Sequence, residues 1–173
     1  ADLAVGDPEA LATKYYNDGA DELLYMDIVA SLYGRNNLID IVEKTSRHIF
    51  IPLTVGGGVR SLEDIELLLK AGADKVSMNS WVIEHPDFVN EAVKTFGSQC
   101  IVCSVEAKKK KDGFWEALYN NGREASGKDA VLWARELAER GAGELLVTSI
   151  DREGTLRGYD CELVSFISGS VTI

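Results

Sequence analysis

The sequence predicts an α/β fold of repeated βα units, on three observations. Short β-rich runs recur with little polar alternation, as strands buried on both faces of a parallel sheet require. Amphipathic helical stretches fill the gaps between them. One turn recurs at three helix-to-strand junctions: Gly19-Ala20-Asp21-Glu22-Leu23, Gly72-Ala73-Asp74-Lys75-Val76 and Gly141-Ala142-Gly143-Glu144-Leu145. Each glycine is expected in the left-handed position just past a helix, where a residue without Cβ costs least. Right-handed β-α-β crossovers in series lead either to an open doubly wound sheet or to a closed (β/α)8 barrel. Spacing alone does not separate the two.

The elements follow in order. Asp7 and Pro8 offer an N-cap and a first-turn proline, and Gly19 sits where that helix should stop. Strands are expected over Leu23–Ile28, Ile51–Val55, Lys75–Asn79, Ile101–Val105 and Leu145–Ile150, with a sixth opening at Val171 and cut off at Ile173. Ser61 and Asp64 have the spacing of a capping box before Ile65, Leu68 and Leu69. Pro86 starts a helix with Val89, Ala92, Val93 and Phe96 on one side. Asp129 opens another, with Ala130, Val131, Ala134, Leu137 and Ala138 at helical spacing. A shorter helix is expected around Cys161–Ile167. The rhythm breaks once. After the strand ending at Val105, Asn121-Gly122 beside the alternating run Phe114–Tyr119 predicts a β-hairpin insertion over residues 108–126, within a single domain of residues 1–173. Lys108–Lys111 at its base read as a solvated face, with a mobile basic lid over an anionic substrate as the alternative.

Composition narrows the function. Hydrophobic residues make up 46% and charged residues 27%, the balance of a soluble globular domain. A net charge of -10 opposes binding to a phosphate backbone, so nucleic acid is not an expected partner. No apolar run approaches the roughly 20 residues of a membrane span, and no signal peptide is visible. Three cysteines, Cys100, Cys103 and Cys161, argue against a disulfide framework and fit a reducing cytosol, so a cytoplasmic location is expected. Cys100 and Cys103 lie in an apolar run with no histidine beside them; they read as buried thiols, and zinc is not supported.

Polar and acidic residues gather where the strands end, which is where barrels of this kind place their chemistry. Asp27 ends the first strand, and Gly56-Gly57-Gly58 follows the second. Glycines there let backbone approach a ligand and offer N–H groups to an anion, although a tight turn explains them equally well. Asn79-Ser80 adds donors at a neighbouring strand end, and Gly154-Thr155 suggests a second anion site. Two such sites suit an elongated substrate with a phosphate at each end. Glu106 is the best candidate for general acid–base work, with Lys108 two residues on; a strand-end salt bridge is the alternative. Asp27, Asp151 and Glu153 are weaker candidates, and His48 and His85 read as structural.

The runs TVGGGVRSLEDIELLLKAGADKVSMNS, GAGELLVTSIDREGT and GYDCELV, together with ADELLYMDI, FGSQCIV and the NGRE that ends the hairpin, resemble the cyclase subunits of imidazole glycerol phosphate synthase. The isomerase family of the preceding histidine step shares the GGGVRS run; IDREGTLRGYD and SVEAK with the hairpin favour the cyclase. The resemblance implies a (β/α)8 TIM barrel, incomplete at both ends with about six of eight units present. It implies ring closure of a bis-phosphorylated ribulosyl-formimino aminoimidazole carboxamide ribonucleotide with ammonia, giving imidazole glycerol phosphate and AICAR. A partner glutaminase on the N-terminal face would supply the ammonia through the barrel interior, and no cofactor or metal is expected.

Residue by residue, Glu106 falls where the family has a catalytic aspartate, and Glu153 where it has another strand-end aspartate. Gly57, Gly58, Asn79 and Ser80 fall at one phosphate site and Gly154 at the other, with Asp27 and Asp151 nearby. Glu22, Lys75 and Glu144 fall at an ammonia gate, and Asp74 at a partner contact. Two other readings remain: an ammonia-channelling paralogue serving another amidotransferase, as in surface-sugar synthesis, and an inactive fragment that self-associates through open barrel edges.

Overall fold

The computed structural model describes residues 6–27 and 36–173. The chain divides in sequence into two compact units, one ending at Val76 and the other starting at Ser77.

The first unit runs α1 (Pro8–Asn17), β1 (Leu23–Met26), α2 (Asn36–Ser46), β2 (Leu53–Gly56) and α3 (Leu62–Lys70). Strand β3 (Lys75–Met78) spans the division. The predicted caps form. Asp7 accepts from the Ala10 N–H with Pro8 in the first turn, and Ser61 and Asp64 complete a reciprocal capping box on α3. Strands β1 and β2 pair in parallel, from Leu23 opposite Leu53 to Met26 opposite Gly56. All four residues of β2 are buried, which explains why the run shows no polar alternation. Leu53, Val55, Ile65 and Val42 are fully buried in this unit's core. The expected strand over Leu23–Ile28 is seen to Met26, and Ile28 lies outside the described residues.

The second unit holds α4 (Ser80–Glu84), α5 (Asp87–Phe96), β4 (Ile101–Lys109), β5 (Trp115–Tyr119), β6 (Glu124–Asp129), α6 (Ala130–Glu139), β7 (Glu144–Ser149) and α7 (Cys161–Ser168). Strand β4 is paired on both edges. Its whole middle lies parallel to β7, from Val102 opposite Glu144 to Ala107 opposite Ser149. Its end lies antiparallel to β5, from Glu106 opposite Leu118 to Lys109 opposite Trp115. The expectation that this strand stops at Val105 is therefore corrected. It continues to Lys109 because β5 supplies a second ladder for those residues, and sequence-distant pairing is not visible in a local pattern. The predicted hairpin insertion is present as β5 and β6, continuous with the extended end of β4 and closed by two turns, Lys110–Phe114 and Asn120–Arg123. Trp133, Leu137, Ile101, Val105 and Leu163 form this unit's core. The expected sixth strand at Val171–Ile173 does not form; these residues take part in no ladder, and β propensity alone makes no strand without a partner.

The recurring junction is one hydrogen-bonded device used three times. The N–H groups of Gly19 and Ala20 donate to Tyr16 and Tyr15. Those of Gly72 and Ala73 donate to Leu69 and Leu68, and those of Gly141 and Ala142 to Ala138 and Leu137. The glycines have φ of 91°, 113° and 99°, the left-handed C′ geometry that ends a helix and satisfies its last carbonyls. No described helix is long and apolar enough to cross a membrane.

Candidate active site

Glu106 stands near the end of β4, half-buried, where the strand is laddered on both sides. Pairing sets its company. Leu118 of β5 and Thr148 of β7 lie directly opposite it, so all three share one row across the sheet. Side chains alternate along a strand, so Glu106 shares its face with Ser104 and Val102, and with Thr148, Leu146 and Glu144 on β7. The chemistry of that face is graded along the strands: Glu144 begins β7 and the Glu106–Thr148 row lies near its end.

The Glu106 carboxylate accepts a hydrogen bond from the Gly122 N–H at 2.7 Å, and the Asn79 side-chain amide also favours its ionised form. Burial pushes its carboxyl above the usual carboxylate range, against the opposing pull of these two groups. A raised carboxyl spends more of its time protonated near neutral pH, which suits proton transfer in both directions. The lysines that follow Glu106 in sequence hold other acids: Lys109 Nζ is 2.5 Å from Glu162 and Lys110 Nζ is 2.7 Å from the buried Glu116.

Asn79 and Ser80 lie immediately after β3. Asn79 Nδ2 donates to the Leu118 carbonyl at 3.5 Å, its Oδ1 is buried with no hydrogen-bond partner among the described residues, and Ser80 Oγ accepts from the Asn120 N–H at 3.0 Å. The three sequence-selected residues Asn79, Ser80 and Glu106 are thus brought together through the tip of the hairpin.

A cavity of about 240 Å³ opens beside β7. Thr148, Ser149, Arg152, Glu153, Gly154 and Asp160 are among its lining residues. Glu153 and Gly154 were anticipated; Thr148, Arg152 and Asp160 were not. Thr148 was missed because the strand was expected to end at Ile150, two places later. Asp151 does not line this cavity; its carboxylate accepts from the Lys109 N–H at 2.8 Å and ties the loop to the end of β4. Asp160 accepts from Ser149 Oγ at 2.8 Å and from the Leu163 N–H at 3.2 Å, capping α7.

In the first unit, Gly57 has φ of 118°, and a Cβ there would lie 2.2 Å from the Asp27 carbonyl oxygen. Its lack of a side chain is explained by the chain's own packing. Gly58, with φ of 61°, is half-buried beside it. Lys75 Nζ contacts both carboxylate oxygens of Glu22 at 3.2 Å. Glu22, Lys75 and Glu144 each stand three places after a junction glycine, at the same point of the repeated turn. The Asp74 carboxylate accepts from the Leu53 N–H at 2.8 Å. His48 lies 3.8 Å from Glu9, and the His85 ring sits 4.0 Å from that of Trp81. Of the cysteines, Cys103 is buried, with burial pushing its thiol up to about 12, while Cys100 is half-buried and precedes the strand.

Comparison with known proteins bears on the whole chain. A family model described as "Histidine biosynthesis protein" matches residues 2–173. Imidazole glycerol phosphate synthase subunit HisF of Legionella pneumophila is 54% identical over 169 residues, covering 98% of this chain and 80% of that protein. Imidazole glycerol phosphate synthase subunit HisF of Alkaliphilus metalliredigens (strain QYMF) is 49% identical over 168 residues, covering 97% of this chain and 67% of that protein.

Proposed function

The chain belongs to the histidine biosynthesis protein family, and from that premise we propose that it is the cyclase subunit of imidazole glycerol phosphate synthase, with Glu106 as its general acid–base. The α/β units are those of the family's (β/α)8 barrel, with β1, β2, β3, β4 and β7 alternating with helices among the described residues. The reaction joins ammonia to a bis-phosphorylated ribulosyl-formimino nucleotide, closes an imidazole ring and releases AICAR. Each stage moves protons on nitrogen and oxygen. A carboxyl that is half-buried, restrained by a backbone N–H and raised in proton affinity is equipped to supply and accept them.

That carboxyl is the observation that carries the reading. In the same unit as Glu106, Asn79 and Ser80 are candidate donors to one phosphate; in the first unit Gly57 and Gly58, with Asp27 at a strand end, are candidate phosphate-binding residues by their place in the family pattern. Gly154, with Thr148 and Arg152, would hold the other, Glu153 and Asp151 standing in the same loop. Glu22, Lys75 and Glu144 at the strand starts would gate ammonia delivered by a glutaminase subunit, for which Asp74 offers a contact.

Glu106→Gln in the full-length protein tests the assignment. Ring closure with free ammonia is expected to fall by about 10²–10⁴ while substrate binding stays nearly intact. Near-normal turnover in that variant would remove Glu106 from the mechanism.

A further inference from the structure

We propose that the left-handed turn Asn120–Gly122 at the hairpin tip is a positioning device for the Glu106 carboxylate, acting through the Gly122 N–H. Its consequence for rate rests on the catalytic reading of Glu106; its geometric content does not.

Three consecutive residues there have positive φ: Asn120 at 52°, Asn121 at 59° and Gly122 at 70°. Asparagine and glycine are the residues that take such φ at least cost, so the sequence itself sets the left-handed course of this turn. The turn is closed by the Arg123 N–H donating to the Tyr119 carbonyl at 3.1 Å. It is propped from outside by Asn120 Nδ2, which donates to Glu124 at 2.8 Å.

Two N–H groups of the turn leave the hairpin for the residues already singled out. That of Asn120 reaches Ser80 Oγ and that of Gly122 reaches Glu106 Oε2. A Cβ at Gly122 would stand 2.6 Å from Ile150 Cδ1, so the turn is seated closely against the end of β7. A backbone N–H held in this way cannot rotate away as a lysine head group can. Glutamate has more rotatable bonds than aspartate and needs such a restraint to present one oxygen in one place.

Gly113 supplies the control. It lies in the hairpin's other turn with φ of 93°, has open space where a Cβ would be, and does not donate to Glu106. Gly122→Ala, Gly122→Val and Gly113→Ala would be made in the full-length protein. The Glu106 side-chain carboxyl would be followed by ¹³C NMR titration and assigned with Glu106→Gln. Displacing a donor that favours the ionised form raises the titration midpoint. The midpoint is expected to move upward in both Gly122 variants, further in Gly122→Val, and to stay put in Gly113→Ala. Ammonia-dependent turnover should fall on the order of ten- to a hundredfold in Gly122→Val and remain unchanged in Gly113→Ala. A Glu106 midpoint unchanged in both Gly122 variants, or moved equally by Gly113→Ala, overturns the proposal. A midpoint that moves while Glu106→Gln retains turnover upholds the turn's grip on the carboxyl and removes only the catalytic role of Glu106.

Discussion

Replacing Asp160 by alanine should cost roughly 2–3 kcal/mol, because one carboxylate performs two tasks. Its Oδ1 accepts from the Leu163 N–H and caps α7, a task worth about 1 kcal/mol. Its Oδ2 accepts from the Ser149 hydroxyl, and a hydrogen bond to a charged group is worth about 1.5 kcal/mol. In a domain of this size each kcal/mol moves the melting temperature by about 2–4 °C, so a fall of roughly 5–10 °C is expected. Charge can be separated from shape with Asp160→Asn. Burial opposes the ionised carboxylate, but the Leu163 N–H, the Ser149 hydroxyl and the positive field of Arg152 outweigh it, and the carboxyl titrates below its ordinary range. A carboxyl lowered on folding contributes its charge-dependent stability above the unfolded value, about 3.9, and loses it as acid protonates the folded form. The gap between the native protein and Asp160→Asn should therefore be present at neutral pH and close in acid. Thermal unfolding of the full-length protein across that range is the assay. An Asp160→Ala melting point matching the native one, or an Asp160→Asn gap that widens in acid, would refute the reasoning.

Three further outcomes follow from contacts already described. Lys75→Ala should impair glutamine-dependent turnover and largely spare turnover with free ammonia, since Lys75 pairs with Glu22 at the strand starts; equal losses in the two assays would remove the gate assignment. Glu106→Gln should raise the melting temperature at neutral pH and lose that advantage in acid. A carboxyl raised by burial stabilises the fold only while protonated, below its unfolded value, and that support goes as pH climbs through the folded one. Gly57→Ala should destabilise by about 3 kcal/mol, combining left-handed strain with a clash against the Asp27 carbonyl, and a denaturant midpoint close to that of the native protein would count against it.

The elements that could be read from the chain are those whose causes are local. A capping box needs only Ser61 and Asp64 three places apart, and the junction turn needs a glycine at one fixed place. Strand β2 announces itself because every residue in it is buried. What escaped prediction depends on sequence-distant partners. Strand β4 outlasts its apolar run because β5 pairs with it. Thr148 enters the row of Glu106 only through the β4–β7 register. Glu106 itself was legible as a strand-end acid, yet its restraint comes from a backbone N–H 16 residues away, and a backbone donor leaves no side-chain signature. Gly57 was legible as a residue needed without a side chain, but the Asp27 carbonyl that a Cβ would meet lies 30 residues away and leaves no local signal.

The threefold junction separates address from message. Its helix-ending hydrogen bonds use backbone alone, so the residue three places past the glycine arrives at the same point of its own unit whatever its side chain. Evolution could thus write minus, plus, minus at Glu22, Lys75 and Glu144 by exchanging single codons, leaving the scaffold that delivers them untouched. A duplicated unit would inherit the delivery and be free to vary the sign.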